Sequence, residues 1–126
     1  MDLQLKDKII IVTGGAKGIG EGIVKALAKE GAFPVIIGRS QEDNLATVEA
    51  IKAEGGKAAQ VVAELSVAQL CEFAVKEVIR QFGRIDGLVN NAGVNDGVGL
   101  ENGNYQSFVA SLHKNVIHYY LMAHFA

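Results

Sequence analysis

Eight residues, Thr13-Gly14-Gly15-Ala16-Lys17-Gly18-Ile19-Gly20, constrain this chain most, because the apolar run Ile9-Ile10-Ile11-Val12 precedes them and the helical spacing Ile19, Ile23, Leu27 follows. That order is a strand, a glycine turn and the start of a helix. Glycine is required where the backbone turns at positive φ, and again where no Cβ can stand between the backbone and a bound pyrophosphate. Gly14, Gly18 and Gly20 are the three candidates for those roles. Their spacing, G-x-x-x-G-x-G, differs from the usual G-x-G-x-x-G fingerprint, and it is no P-loop, since Lys17 precedes its glycine and no Ser or Thr follows.

The rest of the chain repeats the same alternation. Lys8 to Thr13 reads as a strand buried on both faces, and a helix from Gly18 to Glu30 carries a stripe of Ile19, Ile23, Val24, Leu27 and Ala28 before Gly31 stops it. Phe33 to Gly38 is a second strand. Ser40 caps a second helix that directs Leu45, Val48 and Ile51 to the sheet and ends at Gly55-Gly56. Ala58 to Val62 is a third strand, after which Ser66-x-x-Gln69 reads as a capping box for a helix with Leu70, Ala74, Val78 and Phe82 on its apolar face. Ile85 to Asn90 is a fourth strand, running into Asn91-Ala92-Gly93. Val94 to Gly103 is a polar, glycine-rich loop. Asn104 then caps a last helix with Phe108, Leu112, Val116 and Tyr120 on one face. Four strands alternating with helices imply an α/β domain with a parallel sheet and right-handed crossovers.

Composition bears mainly on what the chain does not do. A net charge of −2, with Lys and Arg scattered among Asp and Glu, leaves no electrostatic footprint for nucleic acid or an acidic membrane. The N-terminal residues are charged, and the most apolar stretch, Val116 to Ala126, is too short for a bilayer span and is interrupted by His118 and His124, so a cytoplasmic protein is expected. The single Cys71 excludes an internal disulfide and reads as a core thiol. His113, His118 and His124 lack the i, i+4 spacing of a metal pair and read as surface or partner-facing residues, with no metal expected.

The glycine turn, Asn90-Asn91-Ala92-Gly93 after the fourth strand, and Asn115 within the last helix together resemble the short-chain dehydrogenase/reductase family, along the whole chain. The resemblance implies a Rossmann-like, doubly wound parallel sheet with strand order 3-2-1-4, formed by residues 1–126 as one nucleotide-binding domain. The family's Ser and Tyr-x-x-x-Lys lie beyond the Asn, and no match to them occurs here: Tyr105, Tyr119 and Tyr120 are followed four residues later by Val109, Ala123 and His124. Complete doubly wound dehydrogenases need roughly 250 residues. With 126 residues the chain looks like the cofactor-binding first half of such an enzyme, expected to be inactive alone.

By the same resemblance, Gly14, Gly18, Ile19 and Gly20 contact the pyrophosphate. The residue ending the second strand selects the nicotinamide cofactor, since an acid there accepts from the ribose 2′-hydroxyl but repels a 2′-phosphate. That position is Gly38, followed by Arg39. With no carboxylate there and Arg39 and Lys17 as cations, the site favours NADP, NAD remaining possible; the alternative is that both are solvated surface cations. Glu64-Leu65 stands where the family has Asp and an aliphatic residue placed to bind the adenine amino group, the alternative for Glu64 being a plain surface carboxylate. Asn90 would tie the strand ends together, while Asn91, Ala92 and Gly93 border the cofactor ribose. Thr13 reads as a structural hydrogen bonder. Asn115 matches the residue that distorts the helix and holds a water in the proton relay, the one candidate catalytic residue in this chain.

The implied activity is hydride transfer between NADP(H) and a small-molecule alcohol or carbonyl substrate. The loop Gly93 to Glu101 resembles that of sugar-oxidising members such as L-fucose dehydrogenases. A homo-oligomer formed through the last helix is also implied. The rival readings are a non-catalytic nucleotide-binding or assembly module and, less well matched, a methyltransferase on a similar sheet, in which Asn-Asn-Ala-Gly would have no role.

Overall fold

The computed structural model describes residues 1–126. Its elements run β1 (Ile9–Thr13), α1 (Gly18–Lys29), β2 (Phe33–Gly38), α2 (Gln41–Ala53), β3 (Ala59–Val62), α3 (Ala68–Phe82), β4 (Gly87–Val89), α4 (Tyr105–Asn115) and α5 (Ile117–Phe125). The strands form one parallel sheet in the order β3-β2-β1-β4. This is the Rossmann-like α/β arrangement, with β1 central and every crossover made by a helix.

Because side chains alternate along a strand, β1 and β2 feed two separate cores. Ile9, Ile11, Val35 and Ile37 meet Cys71, Ala74, Val75 and Val78 of α3 and Met122 of α5 on one face. On the other face, Ile10, Val12 and Ile36 meet Val24 of α1 and Val48 and Ile51 of α2. All five residues of β1 are buried, which is why that run carries no polar residue before Thr13. Cys71 lies within the first core, where its thiol contacts Leu65 O at 3.3 Å and burial pushes it above the ordinary thiol range.

Several local expectations are corrected. Ser66 does not cap α3: the cap residue is Val67, without a side-chain bond, and Ser66 Oγ instead donates to Glu64 Oε1 at 3.0 Å. In α2 Val48 and Ile51 are buried as expected, but Leu45 is 40% exposed while Asn44 and Thr47 are buried. Ile19 is 79% exposed and belongs to no core. Strand β4 is only three residues long; just before it, the N–H of Asp86 donates to Ile9 O and its carboxylate accepts from Ile9 N–H at 2.8 Å.

The last helix is broken at Val116, whose φ of −127° is not helical. The N–H of Tyr119, which would reach Asn115 in an unbroken helix, bonds to Val116 O instead at 3.0 Å. The break re-aims α5. Phe108, Val116 and Tyr120 are exposed, while His118 and Met122 are buried and Leu121 and Phe125 pack on the first core. The expected face of Phe108, Leu112, Val116 and Tyr120 therefore does not face the sheet. His118 is no surface histidine.

Candidate cofactor-binding site

At the C-terminal ends of β1, β2 and β4 the strands diverge into loops and leave a cleft of about 440 Å³, the place where open α/β sheets bind ligands. Gly14, Lys17 and Ile19 line it from the glycine turn, Arg39 from the end of β2, Glu64 and Leu65 from the end of β3, and Asn91, Ala92 and Gly93 from the end of β4. Gly18 and Gly20 open α1 just behind that wall rather than lining it.

Two features make the glycine turn a cradle for an anion. Lys17 caps α1 without a side-chain bond, so the amides of the first turn have no acceptor from the chain, and the helix dipole adds partial positive charge. Backbone packing also excludes side chains. A Cβ on Gly14 would stand 2.9 Å from Ala92 Cα, and one on Gly20 would overlap the Gly14 carbonyl. Gly14 and Gly18 have φ of 65° and 56°, which glycine adopts without strain. These residues fit a dinucleotide's pyrophosphate.

The segment after β4 is tied down by Thr13 and Asn91. Thr13 Oγ1 accepts from the N–H groups of Asn91 and Ala92, both at 3.0 Å, and Asn91 Nδ2 donates to the carbonyls of Thr13 and Gly14, both at 3.1 Å. The role expected of Asn90 thus falls to Asn91. Alternation after the strand turns Asn91 toward β1 and Asn90 toward α5, where Asn90 Nδ2 donates to Tyr119 O. Asn115 is outside the cleft wall but coupled to it: its Oδ1 accepts from Val94 N–H at 2.7 Å, and its Nδ2 donates to Ser111 O.

Of the three cations lining the cleft, Lys17 and Arg39 are paired and Lys114 is in no ion pair. Lys17 Nζ lies 3.0 Å from Asp43, and Arg39 lies 3.9 Å from Glu64; both cations remain mostly exposed. Lys17, with help from the Ser40 hydroxyl, holds the Asp43 carboxyl below its ordinary range. Glu64 Oε1 is already engaged by the N–H and hydroxyl of Ser66, leaving its other oxygen toward Arg39.

Sequence reasoning missed Asn44, Asp43 and His118, all of which line the cleft. His118 is 1% exposed, and its Nε2 is 2.7 Å from Lys114 O. Since a carbonyl only accepts, Nε2 donates to it, while Nδ1 is enclosed with no partner in the chain. Polar residues on the buried face of α2 and the break before α5 hide Asn44 and His118 from any periodicity argument.

The sequence profile of the short chain dehydrogenase family matches residues 8–126. An uncharacterised oxidoreductase of Methylorubrum extorquens is 46% identical over 99 residues, 78% of this chain and 40% of that protein. Among solved structures, a metagenomic short-chain oxidoreductase in complex with NADP is 32% identical with a TM-score of 0.90, over 96% of this chain and 55% of its own. An NADH-dependent reductase complexed with NAD is 29% identical with a TM-score of 0.91, over all of this chain and 53% of its own. The chain thus spans about half the length of the proteins it resembles. With a parallel sheet in the order β3-β2-β1-β4, the glycine cradle at the start of α1 and the Thr13–Asn91 tie beside it, this chain belongs to the short-chain dehydrogenase family.

Proposed function

We propose that residues 1–126 are the cofactor-binding part of an NADP-preferring dehydrogenase that moves hydride between NADP(H) and an alcohol or carbonyl substrate. The observation that carries the reading is the convergence of the uncapped α1 terminus, Gly38 and Arg39 in one cleft. The amides of Gly18, Ile19 and Gly20 would hold the pyrophosphate. Arg39 and Lys17 would meet a 2′-phosphate, exchanging their present carboxylate partners for it, and position 38 offers no carboxylate to oppose it. Bound cofactor supplies the hydride chemistry, and the protein orients it.

Asn115 is suited to proton handling. The break at Val116 leaves its main-chain carbonyl without the usual Tyr119 partner, available to hold a water, while its side chain fixes Val94 at the cleft's rim. The family's proton-donating Tyr-x-x-x-Lys has no match within these residues. For substrate we infer a sugar such as L-fucose, from the resemblance of the loop Gly93 to Glu101. The partner is a second copy of the chain, meeting it through the exposed residues of α4 and α5. The test is reduction of NADP and NAD by the natural polypeptide that carries this sequence, offered L-fucose, other aldoses and secondary alcohols. Sugar-dependent NADPH formation supports the reading; cofactor binding without turnover of any substrate would favour a non-catalytic module.

A further inference from the structure

The end of β2 carries no side chain at residue 38, yet the space beside it is filled. A Cβ on Gly38 would stand 2.7 Å from Asn44 Oδ1, closer than any side chain can sit. Asn44 itself is 1% exposed, and both hydrogen bonds of its amide are made by Nδ2, to Gly38 O at 3.0 Å and to Gln60 Oε1 at 3.1 Å. The Gly38 carbonyl can only accept, so the amide cannot be flipped. Oδ1 is thereby held beside Gly38, in the space a side chain at 38 would take. It accepts nothing from the chain, and Asn44 lines the cleft together with Gly38 and Asp43. A nearly buried side chain at a cleft wall, its acceptor without a donor from the chain, is costly unless something else donates to it.

Resting on the proposed dinucleotide site, we infer that Asn44 is the residue that accepts the hydrogen bond of the adenosine ribose 2′-hydroxyl, an amide oxygen supplied by α2 in place of a carboxylate supplied by β2. An acidic residue at the strand end would both accept from the hydroxyl and repel a 2′-phosphate. The Asn44 oxygen does the first and, being neutral, does little of the second. It therefore retains a grip on NAD in a cleft whose cations favour NADP. It also accounts for glycine at 38: any larger residue would displace the acceptor.

The experiment is calorimetric titration of the natural polypeptide with NAD, with its adenosine 2′-deoxy analogue and with NADP, for the wild type and for Asn44→Leu and Gly38→Ala. Asn44→Leu removes the acceptor at similar volume. Gly38→Ala keeps Asn44 but pushes its side chain aside, which covers the case in which the first variant folds poorly. Wild type should bind NAD about 3- to 10-fold more tightly than the deoxy analogue, the range of one neutral hydrogen bond. In both variants that ratio should fall to about one, with NADP affinity changed less than NAD. A merely structural role would weaken all three ligands alike and leave the ratio intact. Equal binding of NAD and its deoxy analogue by wild type, or an unchanged ratio in both variants, would overturn the assignment while leaving the dinucleotide site standing. Failure of wild type to bind any of the three would overturn both.

Discussion

Arg39 and Lys17 sit in one cleft with Gly38 between strand and helix, and each already faces a carboxylate. A 2′-phosphate must therefore compete with Glu64 for Arg39, and the exchange is favourable because a phosphate offers more charge and more acceptor oxygens. Arg39→Ala should weaken NADP binding by about 10- to 100-fold, the equivalent of a charge-assisted hydrogen bond of about 1.5–3 kcal/mol, and leave NAD nearly unchanged. Titrating both cofactors checks it, and equal losses would remove Arg39 from the phosphate site. At this scale the sequence was most readable where chemistry demands a residue type. The glycines, Arg39 and Asn91-Ala92-Gly93 all reach the cleft wall or the turn behind it. It was least readable where a polar residue is buried for its hydrogen bonds. Asn44 and His118 interrupt apolar patterns, and the bonds that hold them buried, to Gly38 O and Gln60 and to Lys114 O, have no signature in spacing.

Between elements, one carboxylate connects β4 to β1. Asp86 accepts from Ile9 N–H and pairs with Arg84 at 2.6 Å; Arg84 first, and then the Ile9 amide, hold its carboxyl below the ordinary range. A depressed carboxylate pKa stabilises the fold above the unfolded value of about 3.9 and loses that contribution as pH falls through the lower folded value. Asp86→Asn should accordingly lower the melting temperature at pH 7, with the gap from wild type closing as pH drops below about 3.9. Melting curves across that range check it, and a gap that persists unchanged in acid would mean that the charge is not what matters. Strand and helix existence followed from apolar runs and glycine stops, because those are local. The short β4 did not, and the break after Asn115 followed only from the resemblance, in which that residue distorts the helix, not from periodicity.

Taken as a whole, the molecule leaves two surfaces uncovered. Strand β4 pairs only with β1 and presents its other edge, and Phe108 on α4, Val116 at the break and Tyr120 on α5 stand exposed. Burying such side chains is worth about 1.5–3 kcal/mol each, comparable over three or four residues with a small domain's net stability. An unpaired parallel edge also templates association. Purified residues 1–126 should therefore sediment at low micromolar concentration as associated species; a single monomer that unfolds cooperatively would contradict this. The strand order was legible through resemblance, whereas which residues of the last 20 or so face outward was not visible in periodicity, because the break at Val116 decides it.

The central claim is that a dinucleotide lies across the start of α1 and the ends of β2 and β4. Amide hydrogen exchange of the natural polypeptide, with and without saturating NADPH, tests it most directly. The uncapped amides of Gly18, Ile19 and Gly20 should exchange freely in the unliganded protein and slow markedly with NADPH, together with residues 38–40 and 91–94. Unchanged exchange in the glycine turn at a cofactor concentration that saturates binding would contradict the account.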